Sequence, residues 1–162
     1  MKTIKATLLY VIKEGNVLLG KKLRGFGKGD YNGIGGKVDF GETIEQGMIR
    51  EVKEEICVEP VGYELVGKIV YDEFMDGEPV VFETFVYVAT EYVGDIKTTD
   101  EMEPSWFDVN QLPFDKMFGD DPYWLPQVLA GEKVIAEFNF DKEFNILNYD
   151  VKIVDCINLE DC

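Results

Sequence analysis

The sequence predicts one mixed α/β (α+β) domain, on three observations. Apolar runs rich in β-branched and aromatic residues occupy both halves of the chain. One strongly amphipathic helix separates them, and a shorter helix signal comes late. With 162 residues and 46% hydrophobic content the chain can bury a continuous core, and no repeat or low-complexity segment divides it. The domain is expected to span 1–154, followed by a short acidic tail, 155–162.

TIKATLLYVI and VLLGKKL, joined by KEGN, read as a β-hairpin with a glycine-containing turn. The glycine-rich stretch RGFGKGDYNGIGG follows, with no periodicity of either kind, and is expected to form no element. A helix then begins at Thr43, where Thr-x-x-Gln fits a capping box. Ile44, Met48, Val52 and Ile56 form its apolar stripe, and Pro60 is expected to close it. GYELVGKIVYDEF and PVVFETFVYVATEY read as strands, and the Asp-Gly pair of the intervening MDGE is a hairpin signal. The acidic loop DIKTTDEMEP leads to a short strand at SWFDV. Asp121-Pro122 looks like an N-cap with proline at the first helical position, which places a helix over about 122–130. The strand-like runs KVIAEFNF and FNILNYDVKIV complete the domain.

Composition excludes several kinds of chemistry. There is no histidine, so Ser-His-Asp and Cys-His catalysis and imidazole zinc sites are ruled out. The formal net charge of -16 disfavours long-range capture of nucleic acid or an anionic membrane. Any phosphate-bearing partner must therefore be met by a local device. Cys57, Cys156 and Cys162 show no paired spacing, and no signal peptide or long apolar run is present, which reads as reduced thiols in a cytoplasmic protein.

Against that charge, GGKVDFGETIEQGMIREVKEEI adds a dense acidic cluster. Glu51, Glu54 and Glu55 stand at i, i+3 and i+4 and project from one helix face, where like charges at this spacing cost about 0.2–0.5 kcal/mol per pair. Arg50 and Lys53 relieve part of that cost. A divalent cation would relieve more, since Mg²⁺ takes oxygen ligands and is commonly shared between carboxylates and substrate phosphates. A solvated, salt-bridged helix face is the plainer explanation of an EVKEE segment. The glycines before the helix weigh against it, because they allow backbone groups to approach a metal-phosphate cluster closely.

Gly36, then Glu42 after five residues, then Arg50-Glu51-Val52-Lys53-Glu54-Glu55-Ile56-Cys57-Val58 after seven more, resembles the signature box of the Nudix hydrolases. The resemblance implies a mixed β-sheet sandwiched between α-helices and hydrolysis of a phosphoric anhydride in a nucleoside diphosphate linked to another group. It further implies that Gly36, Glu51, Glu54 and Glu55 are ligands of Mg²⁺, with Mn²⁺ able to stand in. Arg50 would position the glutamates, and Glu42 would support the loop. Where Cys57 stands the family usually has glycine, which puts the geometry of the helix end in question.

RGFGKGDYNGIGGKV, TTDEMEPSWF and LPFDKMFGDDPYWLP extend the resemblance, over about residues 5–154, to the oxidised-purine nucleoside triphosphate hydrolases (8-oxo-dGTP diphosphatases). In such an enzyme Asn32, Asp120 and Asp121 would read the base. Phe26, Tyr71, Met102 and Phe118 would wall its pocket, with Thr7 and Lys22 near the edge and Gly35, Gly36 and Lys37 on the phosphate side. Glu101 would be a further metal ligand or, with Glu55, a candidate base for the attacking water, and Lys37 or Lys22 would stabilise the leaving pyrophosphate. Phe118 and Tyr31 replace tryptophans usual in that subgroup, which bears on base selectivity.

Each assignment has a competitor. Asp121 could cap a helix, the pocket side chains could be core, Asn32-Gly33 could be an ordinary turn, Lys22 a strand-end charge, and Glu101 part of a solvated loop. The expected function is Mg²⁺-dependent conversion of oxidised purine nucleoside triphosphates to monophosphate and pyrophosphate. The alternatives are hydrolysis of ADP-ribose, a dinucleoside polyphosphate or a pyrimidine triphosphate, or a module that binds nucleotide without turnover. The partner is a small nucleotide, with no direct nucleic-acid or membrane contact. The chain is expected to act as a monomer, oligomers being left open.

Overall fold

The computed structural model describes residues 1–159. Strands β1 (Lys2–Lys13) and β2 (Asn16–Lys22) meet at the predicted Glu14-Gly15 turn, but pair only at Ile12–Val17 and Lys13–Asn16. The expected hairpin is thus confined to its tip. Beyond it, the backbone of residues 34–38 takes β1's free edge: Leu9 N–H donates to Ile34 O (2.6 Å), Thr7 N–H to Gly36 O (2.9 Å) and Val38 N–H to Lys5 O (2.9 Å). Within the glycine-rich stretch expected to be structureless there is also a two-residue strand, β3 (Tyr31–Asn32), paired with Gly20 and Lys21.

Helix α1 (Ile44–Ile56) starts as predicted. The Thr43 hydroxyl accepts from Gln46 N–H at 3.1 Å, and Thr43 N–H donates to Gln46 Oε1 at 2.9 Å. Met48, Val52 and Ile56 are fully buried, worth about 1.5–3 kcal/mol each, and Ile44 packs at the margin. The helix ends at Cys57, before Pro60, because Cys57 adopts the left-handed conformation (φ 68°) and donates its N–H to Lys53 O. Pro60 lies within the next strand instead. A side chain at this φ is strained and Cys57 is exposed, so Cys57→Gly is expected to stabilise the fold by about 0.5–1 kcal/mol, read as a raised denaturation midpoint.

Strands β4 (Glu59–Met75) and β5 (Glu78–Val93) form a long hairpin about Asp76-Gly77. β6 (Met102–Asp108) begins earlier than the sequence suggested, since Met102 pairs with Lys22. A single 3₁₀ turn, Phe114–Lys116, precedes α2 (Asp121–Leu129), and β7 (Lys133–Phe140) and β8 (Ile146–Val154) follow. The strand order is β3-β2-β1-β5-β4-β7-β8, with β6 on β2; β1 runs parallel to β5 and β4 parallel to β7.

The helices cover opposite faces of this mixed sheet. Leu9, Val11, Phe85, Tyr87 and Ala89 pack toward α1, while Tyr10, Val86, Val134, Ala136 and Phe138 pack with Trp124, Leu125 and Val128 of α2. That alternation along β1 and β5 is the period of two that a sheet buried on both faces requires. Among the described residues, no helix is long and apolar enough to cross a membrane. Cys57 and Cys156 are exposed and pair with no cysteine among the described residues, and Leu159 lines a surface groove with Lys5, Phe40 and Thr43. Cys162 lies outside the described residues.

Candidate active site

The strap of residues 34–38 positions the acidic cluster. A Cβ at Gly35 would come within 1.9 Å of the Thr7 carbonyl oxygen, so only glycine lets the strap lie this close to β1. At Gly36 a Cβ would sit 2.6 Å from the Glu51 carboxylate, which therefore rests in space that glycine leaves open. Gly35 N–H donates to Glu55 Oε1 at 2.8 Å.

Arg50 organises the other carboxylates. Its Nε and one terminal nitrogen grip Glu42 at 2.7 and 2.9 Å, and its other contacts reach Glu51 (3.0 Å), Glu54 (3.2 Å), Asp39 (3.3 Å) and the Lys37 carbonyl (3.0 Å). One guanidinium thus ties helix to strap through a planar fork that lysine cannot reproduce. The Arg50 hydrogen bonds hold the Glu42 carboxyl below the usual carboxylate range.

The three helix carboxylates are not equivalent. Glu54 is exposed, Glu51 is partly buried and Glu55 is only 6% exposed. Burial first, then the Glu51 charge, pushes Glu55 up to about 8, against the pull of Gly35 N–H; Glu101 adds to the rise and Lys22 opposes it. Burial also raises Glu51, although Arg50 works against it. Glu101 lies near both and is paired with Arg24 at 2.9 Å.

Glu51, Glu54, Glu55, Glu101 and the Gly36 carbonyl offer hard oxygen donors that suit Mg²⁺, and the mutual repulsion at Glu55 is what a dication would relieve. Among the described residues, no three acidic side chains are gathered tightly enough to enclose a cation unaided. Arg50 and Arg24 engage Glu51, Glu54 and Glu101 instead. The donor chemistry fits the ion, and glycine at 36 lets the Glu51 carboxylate lie against the strap.

Across the strap lies a cavity of about 390 Å³. Its floor is one sheet face, formed by Ala6 and Leu8 of β1, Phe82 and Thr84 of β5, Tyr71 and Glu73 of β4, and Phe140 of β7. Asn32, Gly35, Gly36 and Lys37 line one side, and Phe118, Asp120 and Asp121 the other. Phe26 stacks on Phe118, centroids 6.0 Å apart, and touches Phe144, so three rings border the mouth.

Of the residues expected at a pocket, Met102 is not there. It is 2% exposed and packs against Gly20 within the apolar core on the α1 side, where a Cβ on Gly20 would meet its sulfur at 2.0 Å. The β6 register sends it there: Met102 pairs with Lys22 at the strand's first residue, facing the same layer as Leu18 and Ile34. Lys22 does not line the cavity either; its charge acts on Glu55. Thr7 does line it.

Asp121 is no cap. It is the first residue of α2, and Asp120, in the cap position, makes no capping bond. Both carboxyls point into the protein and are nearly inaccessible. Asp120 Oδ2 accepts from Tyr71 Oη at 2.6 Å and Trp124 Nε1 at 2.8 Å, which favours its ionised form, whereas Asp121 Oδ2 is buried with no hydrogen-bond partner among the described residues. Burial raises both, and the Asp120 charge raises Asp121 further. Sequence reasoning missed Trp124, Phe82, Thr84, Phe140 and Glu73. Glu73 alone carried a local signal, since it is two residues from Tyr71 and shares its strand face.

Comparison with known proteins agrees with this architecture. The NUDIX domain family matches residues 2–128. The Mus musculus protein named oxidized purine nucleoside triphosphate hydrolase is 40% identical over 149 residues, 92% of this chain and 94% of that one. Its Danio rerio namesake is 42% identical over 134 residues, 83% and 85% of the two chains. The crystal structure of a mutator MutT protein from Bacillus halodurans superposes with a TM-score of 0.80 at 26% identity, covering 91% of this chain and 97% of that one. With its sheet held between two helices and the glutamate-bearing helix beside a glycine strap, the chain belongs to the Nudix family and is a pyrophosphohydrolase.

Proposed function

We propose that this enzyme hydrolyses oxidised purine nucleoside triphosphates to the monophosphate and pyrophosphate, with Mg²⁺ as cofactor and Mn²⁺ able to replace it. The observation that carries the reading is the continuity of two unlike sites across one strap. An aromatic-floored cavity with a buried aspartate pair adjoins a cluster of glutamates at Gly35–Lys37. The names of the mouse and zebrafish relatives support the same substrate class.

In this reading Gly36, Glu51, Glu54, Glu55 and Glu101 hold the ion. A dication held by these residues would supply charge neutralisation at the phosphates and a more acidic water. Glu55 would accept the proton of the attacking water, with Glu101, which pairs with Arg24, as the other candidate. Lys37 meets the phosphates and Lys22 lies beside Glu55, while Arg50 keeps helix and strap in register. Asn32, Asp120 and Asp121 read the base between Tyr71, Phe26 and Phe118, with Thr7 at the margin. The indole absent at Phe118 leaves a stacking surface without an N–H donor. The enzyme works as a cytoplasmic monomer on free nucleotides.

Pyrophosphate release from 8-oxo-dGTP, 2-oxo-dATP, dGTP and dATP with Mg²⁺, beside ADP-ribose and a dinucleoside polyphosphate, tests the substrate class. The oxidised triphosphates are expected to show the highest kcat/KM. Turnover of ADP-ribose alone would transfer the assignment to that nucleotide.

A further inference from the structure

The cavity contains a third carboxyl that the roles above leave unused. Glu73 follows Tyr71 by two residues on β4, so both face the cavity from the sheet floor. It is half-buried, and no hydrogen bond or ion pair within the described residues reaches its side-chain carboxyl. Among the described residues, Lys37 is the one cationic residue that lines the cavity, and it belongs to the strap. Asp120 cannot serve Glu73 as a donor, because its Oδ2 already accepts from Tyr71 and Trp124 and its charge repels. Burial and that charge push Glu73 up to about 7, which marks a carboxyl held short of compensation. A polar group so placed in an aromatic pocket is complemented by a ligand that donates to it.

Purine oxidation supplies such a donor. A keto oxygen added at C8, or at C2 of adenine, moves a hydrogen onto an adjacent ring nitrogen that otherwise presents a lone pair. We propose that Glu73 is a specificity-determining residue whose carboxylate accepts this added N–H and opposes the lone pair of the unoxidised ring. The inference rests on the oxidised-purine reading above and assigns its discrimination to a named group. Sites built to pair a hydrogen-bonding ligand reject the analogue that lacks the group far better than apolar pockets reject a change of size.

The test compares kcat/KM for 8-oxo-dGTP against dGTP, and 2-oxo-dATP against dATP, in the full-length enzyme and in Glu73→Gln and Glu73→Leu, with thermal midpoints checking the fold. Glu73→Gln keeps shape and volume but can turn an amide N–H toward a ring lone pair. It is expected to raise turnover of the ordinary triphosphate and shrink the oxidised-to-ordinary ratio of at least one pair about tenfold. Glu73→Leu lowers the oxidised member without rescuing the ordinary one. If both ratios stay within twofold in a folded Glu73→Gln protein, the Glu73 assignment falls while the oxidised-purine reading stands. If the unsubstituted enzyme itself shows no preference for the oxidised member of either pair, both fall.

Discussion

Glu55→Gln is expected to lower pyrophosphate release about 10³-fold while leaving the protein folded. Glutamine preserves the shape and the oxygen that accepts from Gly35 N–H, so the strap remains attached. What is lost is a charge at the most buried point of the acidic cluster. Stability moves the other way. A carboxyl whose folded value is raised from about 4.5 to about 8 binds its proton more tightly in the folded state, so it costs stability increasingly as pH rises through that window. The glutamine variant lacks this cost. Its thermal midpoint should equal the parent's near pH 4 and match or exceed it at pH 8, without Mg²⁺. Retention of more than a tenth of parental activity would remove Glu55 from the chemistry.

The second large effect is expected at the aspartate pair. Asp120→Ala strips the acceptor from two buried donors, Tyr71 Oη and Trp124 Nε1, at about 1–3 kcal/mol each, and should cost about 2–4 kcal/mol in denaturant unfolding. Asp121→Asn should do the opposite at neutral pH. Both carboxyls are raised by burial above their ordinary 3.8, so the folded protein holds protons that the unfolded chain has released. Stability therefore declines as pH climbs from about 4 toward the raised values. Removing the more strongly raised partner should flatten that decline and lift the midpoint at pH 7–8. Base selection should also respond unequally: Asp121→Asn fixes a donor where the parent can exchange a proton, so guanine-type and adenine-type turnover are expected to change by different factors. Identical pH slopes for parent and Asp121→Asn would place the shared proton elsewhere.

Much of this site could be read along the chain because its parts are local. The Thr43–Gln46 box, the Met48-Val52-Ile56 stripe and the glutamates at i, i+3 and i+4 depend on helical spacing alone, and the helix carries them as expected. What could not be read depends on register between distant strands. Met102 has the size and polarity of a pocket wall, but β2 and β6 pair so that it fills the hollow at Gly20. Asp121-Pro122 carries a strong capping signal, and only the packing of Trp124 and Tyr71 around Asp120 turns the pair inward. The hairpin signal at Glu14-Gly15 was sound, yet nothing local announces that residues 34–38 would displace β2 from β1.

That displacement has a kinetic corollary. Gly35–Lys37 borders the aromatic cavity on one side, and on the other its amide and carbonyl secure Glu55 and Arg50. On the proposed function, a ring that seats badly presses on the same peptide planes that hold the Glu55 carboxylate, in a lattice of bonds of about 3 Å. Poor substrates should thus be penalised in the rate of the chemical step as well as in occupancy, with no hinge or lid required.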